Sequence, residues 1–248
     1  MTKSEILKYI MNTPENTNPM ILIQMLESFK DTPVITDESS FKDAISDTSV
    51  GSIEFNAPLN MTSETQITHK ITIDGNNQPI TTSAQGKVLT FIAGANCNNI
   101  IIESTADNTD WHSSYGIQFY TGENTLSNSK FSGCNAAILV NGGKLTLNGT
   151  IDVSNNTFGG IEVSKGSAEG LDTSILDITN ANIINTSEEY GKPTIWIDGI
   201  TDEAGKVIGA SNMTKIIFTK EDGTQQIHFY LNPENAVKPT KLDSEEDN

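Results

Sequence analysis

Gly116-Ile117-Gln118-Phe119, Ala137-Ile138-Leu139-Val140 and Gly160-Ile161-Glu162-Val163 share one opening: a small residue, then apolar, variable, apolar. Thr194-Ile195-Trp196-Ile197 repeats the apolar part after a longer gap. The first three begin 21 and 23 residues apart, the spacing of an internal repeat built from a few short strands. Between them, residues 124–131, 144–153 and 176–184 alternate apolar and polar side chains less strictly. Side chains of a strand alternate faces. Ile117 with Phe119, Ile138 with Val140, Ile161 with Val163, and Ile195 with Ile197 therefore point one way. Gln118, Leu139, Glu162 and Trp196 point the other way and are expected to face outward.

One repeat of this size cannot bury its own apolar side, so the repeats must stack. At the ~4.8 Å spacing of paired strands the apolar pairs become continuous internal ladders. Gly133-Cys134-Asn135, Asn141-Gly142-Gly143, Asn155-Asn156 and Gly159-Gly160 supply corners, because Gly and Asn tolerate left-handed backbone. The expected fold is mainly β: a single-stranded right-handed parallel β-helix with a short N-terminal α-helical module. In this it resembles the pectin-lyase-like class. A jelly roll or sandwich is the competing all-β reading, and it fits less well because no series of two-residue hairpin turns is present.

The chain has 248 residues, 35% of them hydrophobic, enough for one elongated domain with a thin core and appendages. It holds 25 Asn, and all 15 basic residues are Lys. A net charge of -17 disfavours nucleic acid as a partner and favours solubility. No apolar run approaches the ~20 residues of a membrane span, so no membrane partner is expected. Residues 1–11 alternate charged and apolar side chains without a long apolar centre, so no secretion signal is expected. The protein is therefore expected to be made and left in a cytoplasm, unless it leaves by lysis or within a particle. Cys97 and Cys134 are read as equivalent corners two coils apart, with Ile100, Ile117 and Ile138 on successive rungs. That puts them roughly 10 Å apart, beyond disulfide reach, and predicts two free, buried thiols.

Three segments are expected: residues 1–33, 34–231 and 232–248. In the first, Thr2 and Glu5 have capping-box spacing before Ile6, Leu7 and Ile10. Asn18-Pro19 opens a second helix to about Phe29, apolar over most of its circumference through Ile21, Leu22, Met25 and Leu26. Thirty residues cannot bury that surface on themselves. Ile6, Leu7, Ile10, Pro19, Ile21, Leu22, Met25, Leu26 and Phe29 are thus candidates for docking or oligomerisation. In the second segment, Ser39 or Ser40 is expected to cap a short helix carrying Phe41, Ala44 and Ile45. Ser52-Ile53-Glu54-Phe55, Ile67-Thr68 and Ile71-Thr72-Ile73-Asp74-Gly75 then follow, and this order resembles the opening of many bacterial pectin-lyase-like proteins. Residues 215–219 and 225–230 read as a closing hairpin, and 232–248 as a disordered acidic tail.

Enzymes of this fold class that resemble polygalacturonases place clustered Asp residues, a His and a basic signature on neighbouring coils. Asn108-Thr109-Asp110 matches one short motif of polygalacturonase-like hydrolases, and His112 lies beside it. The other motifs of that family are missing: the Asp pair, Gly-His-Gly and the basic signature. Lyases of the fold use a catalytic Arg, and this chain has none. Asp74-Gly75-Asn76-Asn77 lacks the later Glu of a calcium loop and reads as a tight corner. His69 and His228 lie in separate end regions and read as ordinary residues rather than a shared site. No metal site, cofactor or catalytic residue is expected. Trp111, Trp196 and Tyr190 are the candidate glycan contacts, with Glu188 and Glu189 beside them.

Lys8-Tyr9-Ile10-Met11-Asn12-Thr13-Pro14-Glu15-Asn16-Thr17-Asn18-Pro19, followed by the apolar helix, resembles the N-terminal segment of bacteriophage head-fibre and similar virion proteins from phages of Gram-positive hosts. The resemblance implies a base that docks on the major capsid protein or another virion protein, carrying an exchangeable distal domain. The expected function is that of a non-enzymatic structural protein at the virion surface, a head fibre or capsid decoration, with host-surface glycans as a further partner. A homo-oligomer, by analogy with fibres a trimer, is the expected assembly. Two rivals stand beside it: a polysaccharide-binding or depolymerising tail protein, and a bacterial surface β-helix interaction protein.

Overall fold

Every strand pairing between Val34 and Asp198 is parallel, and each joins residues about one repeat apart. These come from a computed structural model that describes residues 32–107, 114–164, 174–187, 194–198, 200–201, 207–208, 214–219, 225–231 and 240–243. The candidate docking residues Ile6, Leu7, Ile10, Pro19, Ile21, Leu22, Met25, Leu26 and Phe29 lie outside the described residues, as do Trp111 and Tyr190.

The chain starts with strand β1 (Val34–Ile35) and helix α1 (Glu38–Ser46). Three short strands follow, β2 (Ser52–Phe55), β3 (Leu59–Met61) and β4 (Thr65–Ile67). The next two rungs repeat the trio: β5 (Ile71–Asp74), β6 (Pro79–Thr82) and β7 (Gly86–Phe91), then β8 (Ala95–Asn98), β9 (Ile101–Ser104) and β10 (Ser114–Phe119). From here the first two strands of each rung fuse into one long bent strand. The rungs become β11 (Glu123–Ser132) with β12 (Ala136–Val140), β13 (Gly143–Asp152) with β14 (Gly159–Ser164), and β15 (Ser174–Ile184) with β16 (Ile195–Asp198).

Stacking the rungs gives three parallel ladders. The first runs β1-β2-β5-β8 and then through the leading halves of β11, β13 and β15. The second runs β3-β6-β9 and through the trailing halves of the same three strands. The third runs β4-β7-β10-β12-β14-β16. Its register is the one the repeat implies: Ile117 pairs with Ile138, Ile138 with Ile161 and Ile161 with Ile195. The ladders share one core. Ile117, Ile138, Ile161, Phe119, Leu126, Leu145, Leu147 and Ile151 are all fully buried, each worth about 1.5–3 kcal/mol of apolar transfer. Phe91 and Phe119 stack with centroids 5.5 Å apart.

Left-handed corners fall where the ladders bend. Asn99, Asn128 and Gly149 occupy one column, with φ of 54°, 48° and 64°. The Asn128 side-chain amide donates to Asn98 Oδ1 at 3.2 Å, so this corner is tied across rungs. The Asp74 corner is closed by Asp74 Oδ1, which accepts from Asn76 N at 2.8 Å and from Asn99 Nδ2 at 3.0 Å. Its carboxylate is thus satisfied by the turn itself.

The N-terminal end of the ladders is covered by α1. Asp37, not Ser39 or Ser40, is its N-cap: Asp37 Oδ1 accepts from Ser40 N at 2.7 Å, and Ser40 Oγ accepts from Asp37 N at 3.1 Å. Asp37 is the last residue able to hold extended backbone before the helix, and Ser40 serves as the reciprocal third position. Phe41, Ala44 and Ile45 face the core, and Phe41 meets Phe55 edge to face at 5.6 Å. Glu38 pairs with Lys42 at 2.6 Å and accepts from Thr62 Oγ1 at 2.8 Å, which fixes the helix to the loop after β3.

Past the repeats the topology changes. β17 (Ile200–Thr201) and β18 (Val207–Ile208) form a small antiparallel pair. The expected closing hairpin is present as β19 (Thr214–Thr219) and β20 (Gln225–Leu231). β19 lies on β15 and β20 reaches β16. A further strand, β21 (Thr240–Asp243), pairs antiparallel with β20 inside the segment expected as a disordered tail. Tail composition predicts disorder only for a chain with no edge to join, and β20 provides one.

Two rung assignments differ from the expectation. Ile100 directly precedes β9 of the second ladder, while the residues that precede Ile117 and Phe119 in register are Leu89 and Phe91. Cys97 accordingly sits within β8, facing Ile73 and Leu126 in register, whereas Cys134 lies in the corner before β12. They are not equivalent positions, but both thiols are free and buried.

Candidate functional site

The outer wall of the third ladder is where structure and sequence disagree most usefully. Gln118, Leu139 and Glu162 do point away from the core, yet they are 7%, 5% and 4% exposed. An outward face of a parallel sheet is expected to be wet unless something lies over it. Here the wall is covered, and it carries a second apolar cluster of Tyr115, Ala136 and Leu139, separate from the core.

The geometry starts from a break in alternation. Gly116 and Ile117 both face the interior, as do Ala137 with Ile138 in the next rung. A Cβ on Gly116 would lie 2.8 Å from Phe131 Cδ1 and 2.8 Å from the Ala137 carbonyl oxygen. This is why each strand opens with a small residue. The inversion turns the preceding position outward, so Tyr115, which pairs with Ala136, joins the wall. Ala136 and, beyond it, Gly159 leave room for the ring.

Tyr115 Oη donates to Glu162 Oε2 at 2.7 Å, across two rungs. A second polar line runs beside it. Gln118 Nε2 donates to Asn141 Oδ1 at 2.9 Å. Thr90 Oγ1 lies 3.1 Å from Gln118 Oε1 and 3.3 Å from Glu64 Oε1. Its single proton serves one of these two acceptors at a time. Trp196 pairs in register with Glu162 one rung further on, which puts the one described residue of the aromatic candidates on this ladder. Trp111, Tyr190, Asp110, His112, Glu188 and Glu189 lie outside the described residues.

Nothing described forms a metal centre: among the described residues no group of three His, Cys, Asp or Glu is placed to hold one. His69 Nε2 lies 2.9 Å from the Val50 carbonyl, a structural contact near the capped end. Burial pushes the Cys134 thiol up to about 12 and raises that of Cys97 as well, the opposite of what a nucleophilic thiol needs. Asp37 is held below the usual carboxylate range by the Ser40 N–H, and Glu38 by Lys42; both effects belong to the helix cap.

Tyr115 is the wall residue that strand alternation alone does not reveal, whereas Thr90, between inward Leu89 and Phe91 and in register with Gln118, follows from it. The signal for Tyr115 is its place directly before a glycine that opens a rung, opposite alanine and glycine in the next two. No described helix is long and apolar enough to cross a membrane. A scan against protein-family models, a search of curated proteins and a search of solved structures each found no match to this chain.

Proposed function

We propose that this chain is a non-enzymatic structural protein of a bacteriophage virion surface, a head fibre or capsid decoration. In this reading residues 1–30 dock on a capsid protein, and the ladders are displayed as a right-handed parallel β-helix. The right hand is the one that nearly all parallel crossovers take. The N-terminal segment supports the docking role through its apolar excess and its resemblance to head-fibre bases.

One observation, confined to the described part of the third-ladder wall, speaks against glycoside hydrolysis there. The carboxylates whose side chains are described on this wall are Glu64, just before β4, and Glu162 on β14; the backbone of Asp198, in β16, lies on the same ladder. Glu64 and Glu162 are four rungs apart, about 19 Å at the spacing of paired strands. Glycoside hydrolysis needs two carboxylates within about 5–9.5 Å. Glu162 is also buried and engaged by Tyr115.

The test is immunogold labelling of purified particles with antibody against the ladder body. Gold on heads supports decoration, and gold confined to unassembled protein overturns it. A second reading, glycan binding along the wall, is favoured by the register of Trp196 beside Glu162. It requires that Trp196→Ala abolish retention on host-wall glycan.

A further inference from the structure

We draw no further inference here: the strongest candidate, the hydrogen-bonded line of Glu64, Thr90, Gln118 and Asn141 beside Tyr115 and Glu162 on the outer wall of the third ladder, belongs to the site already described, and nothing among the described residues shows what covers it.

Discussion

Tyr115 hydrogen-bonds Glu162 at 2.7 Å although 47 residues separate them in sequence, so one phenol ties three successive rungs of the third ladder. The bond lies over Ala136 and Leu139, where water is excluded. Tyr115→Phe keeps the ring and removes the donor. Loss of a hydrogen bond to a buried carboxylate is expected to cost about 1–3 kcal/mol. The reading is a lower denaturant midpoint at an unchanged m-value.

Gly116 and Ile138 test the packing beneath. Gly116→Val places atoms where Phe131 and the Ala137 carbonyl already sit, an overpacking expected to cost about 1–3 kcal/mol. Ile138→Ala opens a cavity between Ile117 and Ile161, with an expected loss of about 2–5 kcal/mol. Leu139→Ala, on the wall rather than in the core, should cost less than Ile138→Ala. Equal losses would mean that wall and core are not separate clusters.

The thiols predict an alkaline weakness. Burial raises Cys134 from an ordinary 9.0 to about 12 and raises Cys97 in the same direction. Folding keeps their protons on, so this contribution is fully present below about 9 and is lost as pH rises through 12. The slope is up to about 1.4 kcal/mol per pH unit for each thiol. Cys134→Ala should flatten the alkaline limb of the stability profile, and native protein should resist aromatic disulfide reagents that label it once denatured.

At the capped end, acid has the opposite effect. Asp37 and Glu38 are lowered from 3.8 and 4.5 by the Ser40 N–H and by Lys42. Their contribution is present above those values and is lost as pH falls through the folded ones. Both side chains meet solvent, so the effect is small. Asp37→Asn should retain the cap and blunt the acid sensitivity, while Asp37→Ala should lower the melting temperature at neutral pH.

The repeat in Ile117, Ile138, Ile161 and Ile195 was legible because each rung buries the same two side chains, leaving a periodic trace. Strands β3, β6 and β8 were not, since three or four residues, with a proline in β6 and a cysteine in β8, carry too little alternation. The wall residues were half legible. Alternation marks Gln118 and Glu162 as outward, but outward is not the same as exposed, and alternation along one strand carries no information on what lies over its outer face. Tyr115 was hidden because close packing at Gly116 inverts the alternation just after it. Trp196 falls in the register the repeat assigns to it.

The most direct test of virion attachment is co-sedimentation with capsids from an induced lysate. The full chain, a chain starting at residue 33 and the full-length Ile21→Asp/Leu22→Asp variant are each spun with particles. The account predicts that the full chain alone pellets with them while all three stay folded. Pelleting of the shortened chain, or of none, would contradict attachment through residues 1–30.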